Sequence, residues 1–272
     1  MRTEGLSINL ATVRAQWTLR EAVEGCRRHG IGAIDPWRDQ VAAAGLSEAV
    51  RCVKDNGMRV TGYCRGGMFP GPDATARRSA IDDNKRAVDE AAALGAECLV
   101  LVVGGLAAGS RDLAAARAMV TDGIAQILPH ARACQIPLAI EPLHPMYAAD
   151  RACVNTLRHA LDICDALGDG VGIAVDTYHV WWDPELETQI ARAGRRILAH
   201  HICDWLVPTR DLLNDRGMMG DGVIDFRRIR AWIEAAGYTG PQEVEIFSAA
   251  DWWTKDPDEV LRICIERYNQ VC

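Results

Sequence analysis

The sequence predicts a single (β/α)8 TIM barrel with its active site at the C-terminal ends of the strands, and three observations carry that expectation. Short apolar runs alternate with longer stretches of helical period eight times along the 272 residues, which is the pattern of parallel βα units. The length suits one such barrel, for which about 250 residues is typical. No Gly-x-Gly-x-x-Gly follows the first run, so the competing open, doubly wound sheet lacks its usual mark.

In chain order the predicted strands are 6–10, 32–36, 59–63, 98–103, 137–142, 171–176, 197–203 and 242–247. Each is a short apolar or β-branched run bounded by polar or turn-forming residues. Between them, Ala, Leu and charged residues recur at helical spacing over 18–29, 46–56, 74–94, 112–134 and 152–167. Gly30, Gly57, Gly95 and Gly168 follow such stretches, where a glycine ends a helix in the left-handed conformation without a Cβ clash. Trp17 or Thr18, and Asp225, mark helix starts. No Pro/Gly/Ser linker or low-complexity tract interrupts the series, so one domain over 1–272 is expected.

Hydrophobic residues make up 49% and charged residues 25%, an ordinary globular balance. No apolar run approaches the roughly 20 residues that span a bilayer, and Met1–Leu10 lacks a signal-peptide pattern, so a cytoplasmic protein with no membrane partner is expected. The 10 cysteines are scattered without a Cys-x-x-Cys pair, which fits free thiols packed as small hydrophobes better than zinc or redox motifs. A net charge of −7 and a pI near 5.5 argue against a nucleic-acid partner, which needs a clustered basic footprint. Polyphosphate partners are disfavoured for the same reason.

In a barrel, catalytic groups come from the C-terminal ends of different strands. Four consecutive predicted strands end on such groups: Ile140-Glu141, Val175-Asp176, His200-His201 and Val244-Glu245. A lone strand-end carboxylate is commonly a cap or salt-bridge partner. Four at matching positions are another matter, because a shared cation offsets the desolvation and mutual repulsion of three carboxylates. That donor set is hard and oxygen-rich, favouring Mn²⁺ or Mg²⁺, with Co²⁺ or Zn²⁺ tolerated.

The segments Ile140-Glu141-Pro142-Leu143, Val175-Asp176-Thr177-Tyr178-His179, His201-Ile202-Cys203-Asp204 and Glu243-Val244-Glu245-Ile246-Phe247 resemble the xylose-isomerase-like TIM-barrel family. That family holds sugar isomerases and epimerases, including ketose 3-epimerases, hydroxypyruvate isomerase and inosose dehydratases. The resemblance covers nearly the whole chain. It implies that Glu141, Asp176, His201 and Glu245 are metal ligands and that His179 faces substrate. His200 and His201 point to opposite faces of a strand; His201 has the family-like spacing to Asp204, so His200 is expected against the helices. Glu243 shares a face with Glu245 and needs an internal partner, structural or supporting a ligand.

Four protein ligands on an octahedral ion leave two positions for a ketone and its neighbouring hydroxyl. The expected chemistry is α-proton abstraction through a metal-stabilised enediolate, with Glu141 and Glu245 as acid and base, as their counterparts act in the epimerases. Endonuclease IV, in the same broad superfamily, uses a His-rich multi-zinc site that this sequence lacks.

Seven of the eight tryptophans fall in or beside predicted βα loops: Trp17, Trp37, Trp181, Trp182, Trp205, Trp252 and Trp253. They suit either a sugar-like ligand, with Trp17, Trp182 and Trp252 as candidates, or a subunit interface in a homo-oligomer. The long loop after strand seven carries Arg216 and the glycine-rich 217–222, readable as a mobile lid with a substrate-binding arginine or as a solvated loop. Arg65, Gly66, Gly67 and His144 are further substrate-side candidates.

Two positions depart from the ketose 3-epimerase pattern: Tyr147 stands where a substrate-binding Glu is expected, and Val207 where an Arg is. Three functions stay open. They are isomerisation or epimerisation of a sugar-like polyhydroxy ketone, elimination from a keto-inositol, dehydroshikimate-like acid or keto-glycoside, and a non-catalytic barrel subunit.

Overall fold

The structure, a computed structural model, describes residues 3–272. Its strands are β1 (Leu6–Asn9), β2 (Ala33–Asp35), β3 (Arg59–Val60), β4 (Tyr63–Gly67), β5 (Leu99–Val102), β6 (Leu138–Ile140), β7 (Val171–Asp176), β8 (Ile197–Ile202), β9 (Asp204–Trp205), β10 (Arg216–Gly217) and β11 (Gln242–Val244). Nine of them form one parallel sheet in the order β3-β2-β1-β11-β8-β7-β6-β5-β4. β9 and β10 make a separate antiparallel pair beyond the barrel mouth.

The strand expected over 59–63 is two pieces. β3 pairs with β2 and β4 with β5, while Thr61 and Gly62 turn between them. Thr61 N donates to Ile34 O and Tyr63 N to Cys98 O, each at 3.0 Å, and a bridge between Trp37 and Cys64 nearly closes the ring. Thus one interrupted strand position joins both ends of the row, giving a nearly closed TIM barrel.

Around it lie α1 (Leu19–Arg28), α2 (Arg38–Ala44), α3 (Leu46–Asp55), α4 (Ala74–Leu94), α5 (Leu113–Ala133), α6 (Leu157–Leu167), α7 (Thr177–Val180), α8 (Leu186–Ala193), α9 (Phe226–Ala235) and α10 (Pro257–Gln270). Caps set their starts. Thr18 forms a capping box with Glu21, and Asp73, Asp112 and Asp225 each accept a hydrogen bond from a first-turn amide, satisfying otherwise orphaned donors. The helix expected from residue 152 starts only at Leu157, because Ala152 bridges to Gly104 and Asn155 donates to the carbonyls of Leu143 and Ala152. Gly95 ends α4 with φ +68°, in the left-handed region where it avoids strain. No helix among the described residues is long and apolar enough to cross a membrane. All ten cysteines are free thiols.

Strand alternation sorts side chains into two layers. Outward residues such as Ile8, Ile34, Leu99, Leu101 and Ile173 pack under the helices in the main core. Inward residues Cys64, Cys98, Val100, Ala139, Ala174 and Ala199 form a second, smaller cluster inside the barrel. These inner side chains are mostly small, and two residues further along the same faces come Glu141, Asp176 and His201. The sequence therefore stacks a polar layer directly on an apolar plug.

Candidate functional site

Parallel pairing sets the level of the polar layer: Asp176 lies beside His201, and His201 beside Glu243. One ligand-capable atom each from Glu141, Asp176, His201 and Glu245 lies within 4.8 Å of the others. All four side chains are buried. His201 Nδ1 is 3.1 Å from Glu141 Oε1 and 3.8 Å from Glu245 Oε2. Neither His201 Nδ1 nor Glu141 Oε1 has a well-formed hydrogen-bond partner, although buried polar atoms are ordinarily satisfied. Two orphaned donor atoms pointing together among carboxylates are what a divalent cation would use, so the residues present fit one.

Electrostatics agree with that reading. Burial pushes the Asp176 carboxyl up to about 7, against the pull of Arg216 and with added repulsion from Glu245 and Glu141. Burial also opposes charging of His201, yet its contact with Glu141 and the surrounding Glu243 and Glu245 charges hold its imidazolium well above the usual histidine range. The group thus concentrates negative charge in a desolvated place, where an additional cation is favoured.

The other face of His201 meets a second set. Its Nε2 lies 3.8 Å from both Asp35 Oδ2 and Glu243 Oε1. Glu243 finds the internal partner its position demands: Thr61 Oγ1 donates to Glu243 Oε2 at 2.9 Å. Asp35 was not anticipated, although it ends the second predicted strand as Glu141 and Asp176 end theirs; that strand-end signal was available. His200 lies on the helix side, buried against Tyr238 with ring centroids 6.5 Å apart, and burial drives it down to about 3.

Arg216 is the clearest departure from a solvated loop residue. It is 3% exposed and reaches into the barrel, where Nη1 donates to Glu245 Oε2 at 3.0 Å and Asp176 Oδ2 at 3.2 Å. Its Nη2 is 3.2 Å from His179 Nε2. The guanidinium also packs over the rings of Tyr178 and Phe247, 4.4 and 5.0 Å from their centroids. Val207, the position where an arginine was expected, is 70% exposed. Arg216 arrives because β10 folds back onto β9, and Asp204 fixes that fold by accepting hydrogen bonds from the amides of Gly220, Gly222 and Ile224 at 2.8–3.0 Å. The glycine-rich segment is therefore pinned to the barrel.

His179 is buried and lines the cleft above the carboxylates, together with Tyr147, Leu213 and Phe247. Tyr147 donates through its hydroxyl to Leu212 O at 2.5 Å, which anchors the loop over the mouth. Arg65 lines the same cleft, whereas the other substrate-side candidates lie elsewhere. His144 stacks on Trp205 at 4.9 Å and meets Trp182 edge-on at 5.7 Å. Trp182 donates to His179 O and faces a separate cavity shared with Trp232. Trp17 borders an outer cavity between α1 and α2, and Trp252 is buried beneath Lys255. Trp37 does line the cleft, with its Nε1 donating to Asn9 Oδ1 at 2.7 Å.

Residues 23–264 match the family described as xylose isomerase-like TIM barrel. The chain belongs to that family. Among solved structures, protein SMc04130 from Sinorhizobium meliloti 1021 is 68% identical with a TM-score of 0.99, covering 100% of this chain and 99% of its own. The IOLI protein solved with a bound zinc atom is 20% identical at a TM-score of 0.83, covering 98% of this chain and 97% of its own. The 3-keto-D-glucoside 4-epimerase YcjR from E. coli is 19% identical at 0.79, covering 98% and 99%. The last two show likeness of fold. No curated protein matches the sequence significantly.

Proposed function

We propose that this protein is a divalent-metal-dependent isomerase or epimerase of a sugar-like polyhydroxy ketone. The observation that carries the reading is the convergence of Glu141, Asp176, His201 and Glu245 at one buried point at the end of the barrel where such folds place catalysis. These four residues would hold the ion. Their hard donor set favours Mn²⁺ or Mg²⁺, with Co²⁺ or Zn²⁺ also compatible. A bound divalent ion supplies polarisation of a substrate carbonyl and stabilisation of the negative charge that develops on its oxygen.

The chain's own groups do the rest. Glu141 and Glu245 both line the cleft, so one carboxylate can take the proton from the carbon next to the carbonyl while the electron pair moves toward oxygen. The other, protonated, returns a proton to that carbon or its neighbour. Return to the opposite face inverts the centre; return to the neighbouring carbon, with the hydroxyl proton passing to the former carbonyl oxygen, moves the carbonyl. Arg216 orients Glu245 and Asp176 through two ion pairs. His179, driven well below its usual range by burial and by Arg216, stays neutral and can donate or accept a hydrogen bond with a substrate hydroxyl.

The test is a panel of keto-sugars and keto-inositols incubated with the Mn²⁺-loaded protein in D₂O and followed by NMR. Deuterium uptake next to the carbonyl, dependent on metal and abolished by Glu141→Gln or Glu245→Gln, supports the reading. No uptake from any member of the panel by protein shown to hold its metal counts against it.

A further inference from the structure

The arginines around the mouth divide into two kinds. Arg14 pairs with Asp39, Arg38 with Asp83 and Glu90, and Arg216 with Asp176 and Glu245. Arg65 and Arg151 have no ion pair or side-chain hydrogen bond among the described residues. Arg151 packs its guanidinium over the Tyr147 ring at 5.8 Å. Yet both are half-buried and line the same cleft as Glu141, His179, Arg216 and Glu245.

The fold places them there from two directions. Arg65 sits in β4 where the pairing to β5 shifts register between Cys64 and Gly66; such an irregularity re-aims a side chain. Arg151 lies at the end of the loop after β6, held where Ala152 bridges to Gly104 and its own amide bonds to Tyr147 O at 3.0 Å. Burial first and the neighbouring Arg151 charge second lower Arg65 from its ordinary value, and the smaller opposing pull of Glu141 and Asp39 does not offset them, so the two cations feel each other.

Holding two like charges together, partly desolvated and without a direct ion pair, is unfavourable. The chain carries a net charge of −7 and supplies carboxylates to the other mouth arginines, so the missing partner is expected to be external. Guanidinium groups present forked donors that match carboxylate and phosphate oxygens.

We propose that Arg65 and Arg151 form a subsite for an oxyanion group of the substrate, a carboxylate or a single phosphate, so that the polyhydroxy ketone handled here is an acid rather than a neutral sugar. This rests on the proposed function for where the ketone end sits. The anionic end then lies on the β4–β6 side of the cleft, and the ketone end faces Glu141 and Glu245.

Three probes of similar shape separate the possibilities: D-glucitol, which is neutral, D-gluconate, which carries a carboxylate, and D-glucitol 6-phosphate. Each is titrated calorimetrically into wild type, Arg65→Met and Arg151→Met, with and without Mn²⁺, and metal binding and thermal unfolding are measured on every variant. The expected result is that at least one anionic probe binds wild type tenfold or more tighter than glucitol. That preference falls below twofold in both variants, with glucitol binding and metal content unchanged. Which anion is preferred identifies the group. Equal or undetectable binding of all three probes to wild type overturns the proposal, as does a preference that survives in either folded variant. Failure to bind Mn²⁺ counts against the metal centre alone, because the anion preference is also read without metal.

Discussion

Arg216→Met separates what Arg216 does for the fold from what a metal does for the same carboxylates. The methionine keeps an apolar stem against Tyr178 and Phe247, which flank the guanidinium at 4.4 and 5.0 Å. It removes the charge that faces Asp176 at 3.2 Å and Glu245 at 3.0 Å, all three groups being less than 6% exposed. Removing one partner of a buried ion pair typically costs about 3–5 kcal/mol, because the other charge is left uncompensated. For a domain of this size about 1 kcal/mol shifts Tm by 2–4 °C, so metal-free Arg216→Met should unfold roughly 6–20 °C below wild type. A ligand at 100 times its Kd stabilises by about 2.7 kcal/mol. Saturating Mn²⁺ should raise the variant's Tm by more than it raises that of wild type, since the cation then serves carboxylates that lost their arginine. Differential scanning calorimetry with and without Mn²⁺ reads both quantities. Equal Tm values for the two metal-free proteins would refute the ion-pair account, and an equal Mn²⁺ increment in both would refute the claim that arginine and metal act on the same carboxylates.

Glu245→Gln and Glu141→Gln should each slow α-proton exchange at saturating Mn²⁺ by about 10²–10⁴, with bound metal quantified alongside; exchange at the wild-type rate in a fully metallated variant removes that residue from the proton transfer. His200, pushed down to about 3 by burial, is protonated in the unfolded chain near 6.5 before the folded one. Its contribution is therefore intact above that value and lost as pH falls toward 3. Relative to His200→Phe, wild type should lose about 2 kcal/mol between pH 7 and pH 5 in urea titrations, and a pH-independent difference would contradict the buried placement. Gly67→Ala puts a Cβ 1.9 Å from Val102 O at φ +113°, so it should cost at least about 2 kcal/mol or prevent folding; a Tm within 2 °C of wild type would show that β4 can shift.

Much of this architecture was legible because the physics behind it is local. Two-residue alternation put Glu141, Asp176 and His201 on the inner face, two positions beyond Ala139, Ala174 and Ala199, and it put His200 on the outer face. Caps such as Thr18 and Asp112 were readable for the same reason. The failures are long-range. The break at Thr61 and Gly62 follows from closing the barrel, which no short window contains. Arg216 read equally well as a solvated loop residue, because its burial depends on β10 pairing with β9 and on Asp204 gathering three amides from 16 to 20 residues away. The tryptophans mark loops, but loop membership does not say which cavity a ring faces: Trp37 reaches the cleft, whereas Trp17, Trp182 and Trp252 do not. Arg151 gave no signal at all, since an unpaired arginine is recognisable only when its neighbours are known.

The most direct test of the metal centre is anomalous diffraction from crystals of this protein soaked in Mn²⁺. Three groups of side chains among the described residues bring ligand atoms within 4.8 Å of one another: Glu141, Asp176, His201 and Glu245; the deeper Asp35, His201 and Glu243; and Asp89, His130 and Cys134 on the outer surface. A strong peak is expected within bonding distance of Glu141, Asp176, His201 Nδ1 and Glu245, retained at low Mn²⁺ concentration. A peak at either of the other groups with none at the mouth, or no peak at all, would contradict that expectation.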